Sequence, residues 1–132
     1  ERIGHYMPFN ITVIPALKNT KSLSEDQQKQ AEGELILRLI QPSDTVVLLD
    51  EHGAERTSME MATWLTRKQQ TARRLVFIIG GPYGFSADVY GRADEKISLS
   101  RMTFSHQMVR LIFVEQLYRA CTIIRGESYH HE

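Results

Sequence analysis

The chain has one cysteine, Cys121, set in an apolar run, so no disulfide framework can form within its 132 residues. Its plain reading is a small buried hydrophobe, and a reducing, cytosolic setting is the default that goes with it. Proline and glycine are sparse, at 4 and 8 residues, which excludes collagen-like, linker-rich and low-complexity organisation. No apolar run approaches the roughly 20 residues of a membrane span, and no signal peptide is visible. Charge of one sign is lacking too. Lys and Arg number 16, matched by 16 Asp and Glu, which argues against gripping nucleic acid over the whole surface. A local basic site is still possible. Neither paired Cys nor an H-x-x-x-H spacing occurs, so no metal site is expected. Ser86, Ser98, Ser100 and Ser105 sit in no nucleophile elbow, which leaves hydrolase chemistry without support.

With 42% apolar residues the chain has enough material for one core, and residues 1–132 are expected to form a single domain. A domain of this size gains from burying a face in a dimer. The charge is unevenly spread: acids concentrate in residues 22–60, whereas Arg101, Arg110, Arg119 and Arg125, with His106, His130 and His131, gather toward the end. The opening Glu1-Arg2-Ile3-Gly4 has the character of a last helical turn with no Met before it. The expectation is a chain shortened at its amino end, lacking a first strand and most of a first helix.

Residues 10–14 alternate and are β-branched, predicting a strand ended by Pro15. Ser24-Glu25-Asp26-Gln27 has the spacing of a capping box and opens a helix that runs to about Ile40. Thr45-Val46-Val47-Leu48-Leu49-Asp50 is a continuous apolar run, the pattern of a strand covered on both faces, with His52-Gly53 as its turn. Thr57-Ser58-Met59-Glu60 is a second capping box, for a helix to about Arg74. Leu75-Val76-Phe77-Ile78-Ile79 is another buried strand. A brief helix near residues 86–92 and a strand at 96–100 follow, and a long helix from His106 to Arg125 is stopped by Gly126. Its stripe is Val109, Ile112, Phe113, Leu117, Ala120 and Ile124. Strands alternating with helices predict an α/β domain, a parallel-type sheet with helices on both faces. Ligands in such sheets bind beyond the carboxyl ends of the strands. That singles out the loops at residues 50–53, 80–84 and 101–105.

Gly80-Gly81-Pro82-Tyr83-Gly84 lets backbone approach a ligand closely, but it is neither a phosphate loop nor a dinucleotide fingerprint, and a plain tight turn fits it as well. His106 and Arg110 share a face at the start of the last helix, where an anion can be received; a solvated helix start is the alternative. Tyr129-His130-His131-Glu132 reads, from composition, as a frayed end.

Three segments together carry a resemblance. They are Phe77-Ile78-Ile79-Gly80-Gly81-Pro82-Tyr83-Gly84; Ser98-Leu99-Ser100-Arg101-Met102-Thr103-Phe104-Ser105-His106-Gln107-Met108-Val109-Arg110; and Glu115-Gln116-Leu117-Tyr118-Arg119-Ala120, followed by Gly126 and Tyr129-His130. The chain resembles the bacterial 23S rRNA pseudouridine-N3 methyltransferase family, a minimal branch of the SPOUT superfamily, over nearly its whole length. The resemblance implies a C-terminal trefoil knot, a homodimer, and S-adenosylmethionine as methyl donor. It places the donor against Leu49, Gly80, Leu99, Ser100, Arg101, Met102, Thr103 and Phe104. It implies a substrate in 23S rRNA of the large subunit or ribosome, with His106, Arg110, Tyr129 and His130 as the catalytic set. Two positions depart from the family pattern: Tyr83 stands where an acid or Asn is usual, and His131 where a tail Arg or Lys is usual. The alternative from another class is a non-catalytic α/β domain that binds RNA or a nucleotide; a flavodoxin-like signalling domain has only Asp50 in its favour.

Overall fold

The computed structural model describes residues 2–14, 20–81, 83–127 and 129. After 3-10 turns at Arg2–His5 and Thr20–Ser22 come α1 (Glu25–Arg38), β1 (Thr45–Glu55), α2 (Ser58–Thr71), β2 (Leu75–Ile79), α3 (Ala87–Arg92), β3 (Glu95–Ser98) and α4 (His106–Arg125). Both capping boxes form. The Gln27 and Glu60 amides donate to the Ser24 and Thr57 hydroxyls at 3.1 Å, and each N-cap amide is answered by the Gln27 or Glu60 side chain at 2.8 Å. An N-cap of this kind contributes about 1 kcal/mol. Gly126 closes α4 in the left-handed conformation, at φ 72°.

The sheet has the order β2-β1-β3 and is parallel throughout. Alternation along β1 sends its side chains to two cores. Val47 and Leu49 pack with Met61, Trp64 and Leu65 of α2 and Phe113, Leu117 and Cys121 of α4, joined by Ile3. Val46 and Leu48 pack with Ile36 of α1, Ile78, Phe85 and Val89 of α3. Helices therefore cover both faces, as the apolar strand patterns predict. Trp64 is the largest fully buried side chain, and its indole N–H donates to Glu95 Oε1 at 2.9 Å. Burying such a side chain stabilises the fold by about 2–3 kcal/mol. Ile124 is the exception in the α4 stripe and stays exposed in the last turn.

The amino ends of the strands are tied together by charge. The buried Asp44 carboxylate accepts from Arg74 Nε at 3.0 Å, from Arg74 Nη2 at 2.6 Å and from the Gln41 amide at 2.7 Å. The Arg74 guanidinium holds the Asp44 carboxyl below the usual carboxylate range, against the upward push of burial. Arg92 donates to the Gln41 and Asp44 carbonyls at 3.0 and 2.9 Å.

Three features differ from the sequence expectation. Residues 10–14 form no strand: Ile11 and Val13 are exposed, and alternation becomes a strand only where a neighbouring edge supplies hydrogen bonds. The residues beside them still anchor, Phe9 on the α2/α4 core and Ile14 on the α1/α3 core. Pro15, the expected terminator, lies outside the described residues. Next, His52-Gly53 makes no turn. β1 continues to Glu55 with a register slip, so that Leu49 and Ala54 both pair with Ile97. Gly53 is what permits this, because a Cβ there would sit 2.7 Å from Ile97 and Lys96 backbone atoms. Finally, β3 ends at Ser98 instead of Ser100, since the Ser98 hydroxyl donates to the Ser100 carbonyl at 2.9 Å and turns the chain out of the sheet.

Candidate functional site

Strand register alone brings Leu49, Gly80 and Leu99 together. Leu49 pairs with Ile79, which precedes Gly80, and with Ile97, two residues before Leu99. At the ~4.8 Å spacing of neighbouring strands, the three positions fall within about 10 Å. Leu49 is buried, and Leu99 packs against the α2/α4 core.

The loop after β2 is a tight turn. The Gly84 amide donates to the Gly81 carbonyl at 3.2 Å, and Gly84 has φ 80°, a conformation open to glycine at little cost. Glu32 of α1 holds it, accepting from the Gly81 amide at 3.3 Å. Pro82 lies outside the described residues. A Cβ on Gly80 would come 3.0 Å from the Phe85 ring, so the space left by its missing side chain is taken by the protein itself. Gly80 has only backbone to offer a ligand.

The loop after β3 is open. Ser100 is half-buried and folds inward, its hydroxyl accepting from the Met102 amide at 3.0 Å. Arg101, Met102, Thr103 and Phe104 are exposed, with Met102 at 72% and Phe104 at 39%. Two side-chain bonds hold the loop: Arg101 Nε to Glu55 Oε1 at 2.9 Å and Thr103 Oγ1 to Glu51 Oε2 at 3.2 Å. Ser105 then caps α4, accepting from the Met108 amide at 3.3 Å.

His106 and Arg110 occupy the first two turns of α4, one above the other and exposed to solvent. Among the described residues neither side chain has a hydrogen-bond or ion-pair partner. A helix amino terminus favours negative charge, so this end of α4 presents a cation and an imidazole to an anion.

Tyr129 lies elsewhere in the chain. Its hydroxyl donates to Glu115 Oε2 at 3.2 Å, its ring meets Tyr118 edge-on at 4.9 Å, and the Arg119 guanidinium covers it at 4.9 Å. Glu115 lies nine residue steps along α4 from His106, about 13 Å along the axis. Within one chain the structure joins His106 and Arg110 to the loop after β3 and leaves Tyr129 apart from them. Tyr129 itself is packed on α4, contrary to the frayed end that composition suggests. His130 and His131 lie outside the described residues.

Two groups escape sequence reasoning. Glu51 and Glu55 look like ordinary acids after a strand, and their partners are 52 and 46 residues away. An open cavity of about 580 Å³ lies beside β3, lined by Asp50, His52, Tyr90, Ala93, Asp94, Glu95 and Lys96. It shares no residue with the expected donor set. There the Tyr90 hydroxyl donates to Asp50. Burial and that carboxylate push the Tyr90 hydroxyl up to about 12. Burial pushes Asp50 the other way from the bonds it accepts, and the Tyr90 hydroxyl and His52 amide win, holding it below its ordinary value.

A parallel sheet with loops converging near its strand ends, followed by a helix start bearing an imidazole and a cation, is an α/β arrangement of the class that binds ligands beyond its strands. Within that class the chain belongs to the SPOUT methyltransferase family, whose profile, described as "Predicted SPOUT methyltransferase", matches residues 1–130. It is 64% identical to the ribosomal RNA large subunit methyltransferase H of Phocaeicola vulgatus, over 100% of this chain and 85% of that relative. The protein of the same name from Parabacteroides distasonis is 63% identical, over 99% of this chain and 84% of its own length. That of Flavobacterium psychrophilum is 53% identical, again over 100% and 85%. Among the described residues no helix is long and apolar enough to cross a membrane.

Proposed function

We propose that the protein methylates N3 of a pseudouridine in 23S ribosomal RNA, using S-adenosylmethionine, as a cytoplasmic homodimer. The observation that carries the reading is the convergence of Leu49, where β1 slips out of register, with Gly80 and the 99–104 loop, which follow the ends of β2 and β3, in a chain up to 64% identical to rRNA large subunit methyltransferases. The donor supplies an electrophilic methyl group on a sulfonium. The residues present fit such a molecule: Leu49 and Leu99 offer apolar surface, Gly80 offers backbone, and Met102 and Phe104 stand exposed beside them to cover an adenosyl group. In this reading the 99–105 loop and α4 belong to the knotted part of a SPOUT fold.

Pseudouridine N3 carries an imide proton that must leave as the methyl group arrives. His106, without a side-chain partner among the described residues, offers an imidazole, the kind of group that takes such a proton. Arg110, one turn on, holds a phosphate or the developing imide anion. Holding acceptor and donor in line supplies much of the acceleration. Tyr129 and His130 complete the site from the second protomer, where Tyr129 stacks on a base. The dimer face is α4, on which Met108 and Leu111 stay exposed while Phe113, Leu117, Ala120 and Cys121 are buried in the core.

Methylation of matched ribosomes with and without pseudouridine, read by mass spectrometry of the RNA, tests the reaction. Mass increase by one methyl group only where pseudouridine is present is expected; equal methylation of both overturns the assignment. Donor binding is tested by melting. At a hundredfold excess over its Kd a ligand of the native state adds about 2.7 kcal/mol, near 10 °C for a domain of this size. No shift at any donor concentration returns the chain to the non-catalytic reading.

A further inference from the structure

We infer that Glu51 and Glu55, on the extension of β1, are positioning residues that set the donor loop and hence the affinity for the methyl donor. The inference rests on the reading that residues 99–104 hold that donor. Past Ser100 the loop has little else to keep it in place. Its inner hydrogen bonds, Ser98 to Ser100 and Met102 to Ser100, are local, and Arg101, Met102, Thr103 and Phe104 are all exposed. Among the described residues the bonds from 101–104 to the rest of the fold are Arg101 to Glu55 and Thr103 to Glu51. Both end on the same five-residue stretch.

That stretch is where it is because of the register slip. β1 pairs with β3 at Leu49, departs for four residues, and returns to pair Ala54 with Ile97 and Glu55 with Ser98. The return lays Glu55 beside the last residue of β3, so its carboxylate meets Arg101 three residues on. Glu51, in the departing part, reaches Thr103, while its other oxygen lies 3.6 Å from His52 Nε2. A straight β1 ending at Asp50 provides neither contact. The extension thus holds the exposed loop at Arg101 and Thr103 through side chains outside the expected donor set.

Each contact is solvent-exposed, Arg101 at 88% and Glu55 at 50%, so each alone has a modest effect. Isothermal titration of S-adenosylmethionine into the full chain, together with donor-saturation kinetics on ribosomes, tests the assignment with Glu51→Gln, Glu55→Gln and the double variant. Each single change is expected to raise the donor Kd and KM about two- to fivefold, and the pair about tenfold, with kcat at saturating donor within twofold of wild type. Raising the salt concentration should weaken donor binding more in wild type than in Glu55→Gln, because the lost ion pair is the screened one. A double variant with wild-type Kd overturns the inference, as does one whose kcat falls while Kd holds. Wild-type protein that fails to bind the donor at all overturns instead the reading of the loop.

Discussion

Replacing Gly53 by alanine places a methyl carbon 2.7 Å from the Ile97 nitrogen, the Ile97 carbonyl carbon and the Lys96 carbonyl carbon. All three are backbone atoms of a paired strand, so no side-chain rotation relieves the contact. Overpacking of this kind costs about 1–3 kcal/mol, here toward the upper end, against a gain of about 0.4–1 kcal/mol from the stiffer unfolded chain. The net expectation is a loss near 2 kcal/mol. Unfolding entropy of roughly 2.1 cal/mol/K per residue converts that to a melting point lower by about 7 °C. Gly91→Ala is the matched control. Nothing lies within 4 Å of its added carbon, and it sits inside α3, where alanine is favoured by up to about 1 kcal/mol. Differential scanning calorimetry should therefore move the two variants in opposite directions. A Gly53→Ala protein melting at or above wild type, with Gly91→Ala raised as expected, refutes the argument that close strand approach selects glycine at 53. Donor affinity offers a second readout, since displacing the extension also displaces Glu51 and Glu55.

Asp44→Asn should destabilise the fold by about 2–3 kcal/mol at neutral pH, the range for charge-assisted bonds to a buried carboxylate. Because the Asp44 carboxyl is held below its ordinary value, its contribution is present above the usual Asp range near 4 and is lost as pH falls through the lower folded value. Denaturant midpoints from pH 6 to 2 should thus fall more steeply for wild type than for Asp44→Asn, and parallel curves count against the pairing. Leu111→Arg, which charges an exposed apolar position of α4, should give a monomer by sedimentation with its helix content intact; an unchanged dimer would move the interface elsewhere. Deleting residues 129–132 removes the ring packed on Tyr118 and Arg119 and should leave folding and donor binding nearly intact while methyl transfer collapses. A truncated protein that methylates ribosomes at the normal rate removes the tail from the mechanism. Gly80→Val should lower the melting point through the Phe85 ring before any effect on donor binding is seen, and a variant of wild-type stability contradicts that packing.

The amino-acid sequence by itself determined the elements that depend on neighbours in the chain. Ser24 and Thr57 start helices because their hydroxyls reach amides three residues on, and Gly126 ends one because it accepts positive φ. The apolar runs at residues 45–49 and 75–79 could be satisfied only by a sheet covered on both faces, and the loop after residues 75–79 was expected at a strand end for that reason. The family resemblance, carried by residues 77–84 and 98–110, was likewise readable without coordinates. What the tertiary structure decided depends on partners far away in sequence. Residues 10–14 have the composition of a strand but pair with no strand among the described residues. Gly53 reads as a turn residue until Ile97 is seen pressed against it. Gly80 reads as a glycine that leaves space beside it until Phe85 is seen to fill that space, so that only its backbone is open to a ligand. Glu51 and Glu55 acquire a task only because a slipped register carries them to Thr103 and Arg101, some fifty residues on, and pairing register is set by packing between strands, which local sequence does not encode.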